Sequence, residues 1–467
     1  MVAFIDLVAG IRKMTSKLTI IDSILNELRI AQRMTWMPPP PGPVSGLSLP
    51  PSLPVGNGRI INATEDMLDY IRGYADLYLD ANPEIKPRYK IKEFLQIVSK
   101  AFGKVLSEID LRLENEKLHF AVRDGVDDFI VKNIASRRIY LNLGCHLFEG
   151  KEAYPIQIGP VIFEDRDSWR KRMLEEGKIS PITSRRLNAI WNGKHLKKRV
   201  SSRESIVESS ILNAVGNCPA IVSITTDGLS TNNVQEKGAL VARIAMTAIS
   251  LLWQNPSQGL RWMNLLYDRR SPHRYTVLFD EEKWAGSNSE VPQFPSGRYI
   301  EDELLDRVRA YNESFEQIGL AIEGYVQPGK ASSNRPNVMN ALFLSLWWYH
   351  EACREPLDQI ATTKFAASMD VLAKGGKAKG IINLIGMRLG PAANQPLFKG
   401  GQATQKVVDQ IYNSARSRLI HGSSSNFSDD WAELRTKAEI IGRFLLLAFC
   451  DWLSDNPSSD DVAAFAQ

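Results

Sequence analysis

The chain has 467 residues, enough for roughly two to four domains at about 150 residues each. It is 44% hydrophobic and 24% charged, the mixture of an ordinary globular protein with ample material for a core, and no apolar run reaches the ~18 to 20 residues needed to span a bilayer. The net charge of +4 permits contact with nucleic acid without demanding it, because acids nearly balance bases.

In chain order, residues 1–36 read as an N-terminal helical segment, with Phe4, Leu7, Ile11, Met14 and Leu18 on one side. Asp6, Arg12 and Lys13 interrupt the apolar positions and no small-residue cleavage site follows, so this is not the layout of a signal peptide, and a cytoplasmic protein is expected. Residues 37–62 read as a proline-rich loop. The run from Met37 to Pro43 holds five prolines, which lack the amide donor and restrain the residue before them. A surface loop is preferred there over a polyproline ligand for a partner.

Residues 63–326 read as a mixed region of helices and strands. Helical patterns run near 64–81 and 91–115, the second carried by Phe94, Ile97, Val98, Ala101, Phe102, Val105, Ile109 and Leu113. Lys117 to Val122, Arg138 to Leu143, Tyr154 to Glu164, Ala220 to Thr226 and Arg274 to Asp280 read as strands, with turn formers such as Asp124-Gly125 between them. Charged helices are expected over about 166–215, another helix at about 235–254, and one from Glu301 to Glu323. The segment Gln327 to Asn337 has the small, proline-bearing composition of a linker.

After it, residues 338–456 show no convincing strand. Five helical patterns follow: Asn337 to Cys353, Leu357 to Leu372, Ile381 to Leu389, Gln405 to His421 and Asp430 to Leu453. Short and medium loops between them imply a bundle. In the last, Ser428 is the expected N-cap, with Asp429 and Asp430 at the positive helix end. Residues 457–467 read as a C-terminal tail. The expected class is therefore α+β: a mixed N-terminal region followed by an all-α bundle.

The chemistry-bearing string runs from Val408 to Gly422. Val408, Ile411, Tyr412, Ala415 and Leu419 are spaced for the buried face of a helix, and Gly422 stands where a helix end often takes a left-handed residue. His421 should then fall in the last turn, where the helix dipole favours a cation. Arg416 lies five residues earlier, on the order of 140° around an α-helix. The pair suits cleavage of an RNA phosphodiester. Histidine, with a reference pKa of about 6.5, can take or give the proton, and arginine stays charged and contacts phosphate oxygens in pairs. This chemistry calls for no metal and no cofactor. The plain alternative is that His421 merely caps a helix and Arg416 pairs with an acid such as Asp409 or Glu439.

The string Tyr412-Asn413-Ser414-Ala415-Arg416-Ser417-Arg418-Leu419-Ile420-His421-Gly422 resembles the signature helix of HEPN domains, above all the Apea-like group. That group reads Tyr, three residues, Arg-Ser, three residues, His-Gly. The resemblance covers roughly residues 338–456, including the following helix with Arg443. It implies Arg416 and His421 as the catalytic residues, with Tyr412, Asn413, Ser417 and Arg418 in support. It further implies a homodimer whose two Arg/His pairs share a cleft, and metal-independent endoribonuclease activity in a toxin or antiphage setting. Some members also use an acid on an earlier helix, for which Asp370 and Glu351 both stand in suitable places. The resemblance also admits a catalytically inactive scaffold that binds a protein partner or a nucleotide. An unrelated N-terminal enzyme with a helical dimerisation tail has no motif to support it.

Other candidates carry less. Lys194, Lys197, Lys198 and Arg199, with Arg185 and Arg186, form the densest basic cluster, which would grip RNA or be a solvated surface. Trp347-Trp348-Tyr349-His350 could stack bases, but successive residues on a helix point in different directions, so at least part is core or dimer interface. The loop Thr226 to Asn233 joins a strand to a helix, a place where phosphates can bind, yet it lacks a P-loop pattern. The four cysteines are scattered without a CxxC pair; Cys353 and Cys450 read as small core residues, and Cys145-His146 with His119 is a weak metal set. The N-terminal region is expected to sense an unknown ligand or protein, with RNA as the substrate of the C-terminal part and no membrane partner.

Overall fold

The computed structural model describes residues 17–33, 51–134, 137–148, 153–268, 274–279, 284–290, 301–328, 334–417 and 430–467. The class is α+β, as expected: a two-stranded, a five-stranded and a second two-stranded sheet are accompanied by many helices. The chain divides into two compact units, Met1–Arg138 with Asp227–Asn233, and Ile139–Thr226 with Val234–Gln467.

The first unit holds α1 (Lys17–Arg33), β1 (Ser52–Gly56), β2 (Arg59–Asn62), α2 (Glu65–Ala81), α3 (Ile91–Glu108) and α4 (Asn115–Asn133). Thr64 caps α2 by accepting from the Met67 N–H, and Glu65 and Asp66 favour its positive end. Ile21, Ile24, Met67, Ile71, Tyr74, Phe94, Val98, Phe102, Val122 and Ile130 share one core. Tyr74 meets Phe102 edge-on at 5.1 Å and donates to Asp127, which also binds Lys17 at 2.9 Å.

Two expectations fail in this unit. Residues 52–62, expected inside a loop, form a hairpin. Its two-residue turn is Asn57-Gly58, with φ of 50° and 74°, the positive pair that a tight hairpin turn needs. Lys117 to Val122, expected as a strand, lies within α4. Leu118, Val122, Val126 and Ile130 are all fully buried at a four-residue period, and that period outweighs the local β-branched and aromatic composition. Asp124-Gly125, expected as a turn, is mid-helix, where a Cβ on Gly125 would stand 3.2 Å from Val105.

The second unit opens on a five-stranded sheet of order β4-β5-β6-β3-β7. Its strands are β3 (Arg138–His146), β4 (Ile156–Ile158), β5 (Val161–Asp165), β6 (Ala220–Asp227) and β7 (Asn264–Leu265). The charged stretch after β5 makes three helices, α5 (Arg166–Glu175), α6 (Pro181–Trp191) and α7 (Arg203–Val215), packed through Trp169, Met173, Leu187 and Val215. α8 (Thr231–Ser250) and the short α9 (Pro256–Trp262) follow, then the hairpin β8 (Arg274–Phe279) and β9 (Trp284–Glu290). The helix expected from Glu301 to Glu323 is two, α10 (Glu301–Ala310) and α11 (Asn312–Val326).

The expected bundle follows as α12 (Pro336–Cys353), α13 (Asp358–Leu372), α14 (Lys377–Leu389), α15 (Thr404–Asp409) with a π-helical continuation (Gln410–Ser417), and α16 (Ala432–Asp455). Leu342, Leu346, Tyr349, Phe365, Met369, Leu384, Ile411, Ile441, Leu445 and Phe449 are its buried centre. Gly442 lets α16 approach α12: a Cβ there would lie 3.1 Å from the Tyr349 ring, whose hydroxyl donates to the Glu439 carbonyl at 3.0 Å. The expected N-cap Ser428 and Asp429 lie outside the described residues. The expected tail is tied down instead: Val462–Ala466 forms a short 3-10 turn whose Phe465 is fully buried against Phe449. No helix among the described residues is long and apolar enough to cross a membrane.

Candidate functional site

Arg416 lies in the π-helical stretch that continues α15. Backbone bonds there reach back five residues rather than four, a geometry that recurs at functional sites. Ile411, Tyr412 and Ala415 are buried, as their apolar spacing requires, which leaves Arg416 half-buried at the edge of the bundle.

Its partner is neither Asp409 nor Glu439, the two acids weighed in the plain reading. Asp409 accepts from the Asn413 side-chain amide at 3.2 Å, and Glu439 accepts from the backbone N–H and hydroxyl of Ser257 at 2.7 and 2.9 Å. Arg416 instead meets Asp370 near the end of α13, with Nη1 3.0 Å from Oδ2. The same Nη1 donates to the Tyr412 hydroxyl, and the guanidinium lies 4.7 Å from the centre of the Tyr412 ring. Tyr412 in turn donates to Asp370 at 3.3 Å, while the other Asp370 oxygen accepts from the Lys377 backbone N–H at 2.8 Å. One buried carboxylate thus joins the start of α14, the tyrosine and the arginine. Burial, then the Asp370 charge, raises the Tyr412 pKa, so its hydroxyl stays a donor. Among the described residues the Arg416 contacts run through Nη1. A guanidinium has five N–H donors, so Nε and Nη2 are left to address an acceptor.

Of the two acids placed on earlier helices, Asp370 is the one at the arginine; Glu351 lies 3.7 Å from Lys364. Sequence reasoning had no signal to choose between them, since 46 positions separate Asp370 from Arg416 and only the fold brings them together. Asn413 is exposed and Ser417 half-buried. Arg418 and His421 lie outside the described residues.

The remaining candidates take ordinary places. Arg199 bonds Glu204 at 3.1 Å and Glu208 at 3.3 Å, and Arg186 holds Glu208, so both arginines build the α6–α7 packing. Lys194, Lys197 and Lys198 are exposed on the loop between those helices. In the tetrad on α12, Tyr349 and His350 are buried, Trp347 stacks on His350 at 5.7 Å, and only Trp348 is exposed. Arg443 is buried and bonds the Leu251 carbonyl and the Tyr311 hydroxyl, each at 2.8 Å. The loop weighed for phosphate binding is filled by its own unit: Arg88 donates to the Gly228 carbonyl at 2.8 Å, and Ser230 donates to Glu93 at 2.6 Å. All four cysteines are free and buried. His119 faces Asp22 at 3.2 Å, and no group of three or more metal-ligating side chains occurs among the described residues.

Comparison with family models, with curated proteins and with solved structures finds no match to this chain.

Proposed function

We propose that the C-terminal bundle is a metal-independent endoribonuclease in which Arg416 and His421 act on one phosphodiester. The observation that carries this reading is the anchoring of Arg416 through a single nitrogen by Asp370 and Tyr412. A guanidinium fixed at one corner keeps its orientation, and its remaining donors suit the charge that builds on phosphate oxygens as the 2'-oxygen attacks. His421 follows five residues on and supplies a proton acceptor or donor near neutral pH. The 2'-oxygen bonds to phosphorus, the 5'-oxygen leaves with a proton, and a 2',3'-cyclic phosphate remains. The resemblance of the Tyr412–Gly422 string to HEPN domains supports the same reading and adds a dimer, a toxin or antiphage role, and an N-terminal half that senses or selects.

A second reading is a non-catalytic scaffold that binds a protein or nucleotide, and the Arg416–Asp370 ion pair favours it, because the pair already satisfies the arginine charge within the fold. Incubation of the purified chain with RNA in excess EDTA separates the two. Cleavage that survives chelation and leaves cyclic phosphate ends is expected. Strict dependence on a divalent cation would remove the Arg/His assignment, and no cleavage of any RNA would leave the scaffold.

A further inference from the structure

A cleft of about 560 Å3 opens in the second unit between the end of β5, α5 and the end of α6. Its volume falls in the range of about 300 to 1,000 Å3 usual for small-molecule sites. Phe148, Tyr154, Arg166, Arg170 and Trp191 are among its lining residues.

The cleft has an excess of hydrogen-bond donors. Its two acids are already used: Asp165 caps α5 by accepting from the Asp167 and Ser168 N–H groups, and Asp167 takes Arg170 at 2.6 Å and Lys171 at 2.9 Å. Arg166 is half-buried, 5.5 Å above the Trp191 ring, and has no carboxylate partner among the described residues. Arg170 binds Asp167 and the Ser184 hydroxyl through its terminal nitrogens, but its buried Nε has no hydrogen-bond partner. The buried Nε1 of Trp191 has none either. Buried donors left unmet cost about 1 to 3 kcal/mol each, so two in one cleft beside an uncompensated cation call for an acceptor-rich anion. The Tyr154 hydroxyl is bound to the Phe148 backbone at 3.0 and 3.1 Å, which leaves its ring as wall.

We infer that this cleft binds a mononucleotide: a phosphate held by Arg166 and by the free N–H groups of Arg170 and Trp191, with a planar base against the aromatic wall of Tyr154 and Trp191. Phosphate takes several donors at once and matches guanidinium geometry, while a heterocycle gains from aromatic contact. The site stands apart from the Arg416 chemistry, and Arg416→Ala should leave it unchanged, so a failed nuclease assay does not touch it.

Calorimetric titration of the full chain with AMP, GMP, CMP and UMP tests the inference, with adenosine and inorganic phosphate as half-ligands. At least one mononucleotide should saturate, and both halves should bind at least roughly ten-fold more weakly, as expected when charge-assisted bonds are lost. Arg166→Ala and Trp191→Phe, which removes the indole N–H but keeps an aromatic ring, should each weaken binding to a similar degree with thermal unfolding unchanged. Arg166→Gln replaces the first variant if that one melts early. No saturable binding of any mononucleotide, inorganic phosphate as tight as the nucleotides, or wild-type affinity in the variants would each overturn the site.

Discussion

At the scale of the residue, the site turns on one carboxylate. Asp370 is buried and spends its two oxygens on three donors, of which Arg416 is the charged one. Asp370→Asn keeps an oxygen for the Lys377 N–H but removes the charge that holds the guanidinium. As a positioning residue, Asp370 should act on kcat: a fall of roughly 10- to 100-fold is expected, with KM and the thermal midpoint near wild type, because small displacements of a catalytic group cost that much. A wild-type kcat would return Asp370 to a purely structural role. The string Tyr412–Gly422 was legible because its chemistry sits on one helix and its spacing is local. The acid was not, since pairing across α13 and the π-helical stretch is a tertiary fact. The π-helical geometry of Gln410–Ser417 was also out of reach: the 3.6-residue angle between Arg416 and His421 presumed an α-helix throughout.

At the scale of the element, periodicity carried most of what could be read. The five helices of the bundle appear close to their expected ends because each keeps an apolar stripe across three or more turns. Lys117 to Val122 went wrong because six residues rich in aromatic and branched side chains look alike in either state, and only the longer 118–130 register decides it. The hairpin of β1 and β2 had its signal in Asn57-Gly58, hidden beside the proline run. That hairpin also explains a glycine. A Cβ on Gly103 of α3 would stand 2.3 Å from the Pro54 carbonyl oxygen, which is backbone and cannot swing aside. Gly103→Ala should therefore destabilise the first unit by about 1 to 3 kcal/mol, the usual cost of overpacking. Hydrogen exchange should show faster opening in α3 and β1. Unchanged protection there would mean that the hairpin shifts at little cost.

At the scale of the whole molecule, one arginine and one histidine are a sparse set for a phosphodiester, which needs a base, an acid and charge stabilisation. Two copies about a two-fold axis would supply two of each, and such axes are the commonest in homo-oligomers. Of the apolar residues on α12 and α16 considered for that contact, Trp348 and Phe444 are 36% and 47% exposed, whereas Leu445 is buried and Trp347 packs on His350. The double variant Trp348→Glu, Phe444→Glu should run as a monomer by mass in solution and lose cleavage together with the dimer; an active strict monomer would exclude a shared site. The most direct measurement for the account as a whole is cleavage of RNA in EDTA by the wild type beside His421→Ala and Arg416→Ala, each checked for unchanged thermal unfolding. The account predicts cyclic-phosphate products from the wild type and none from either folded variant. A fully active His421→Ala protein would contradict it.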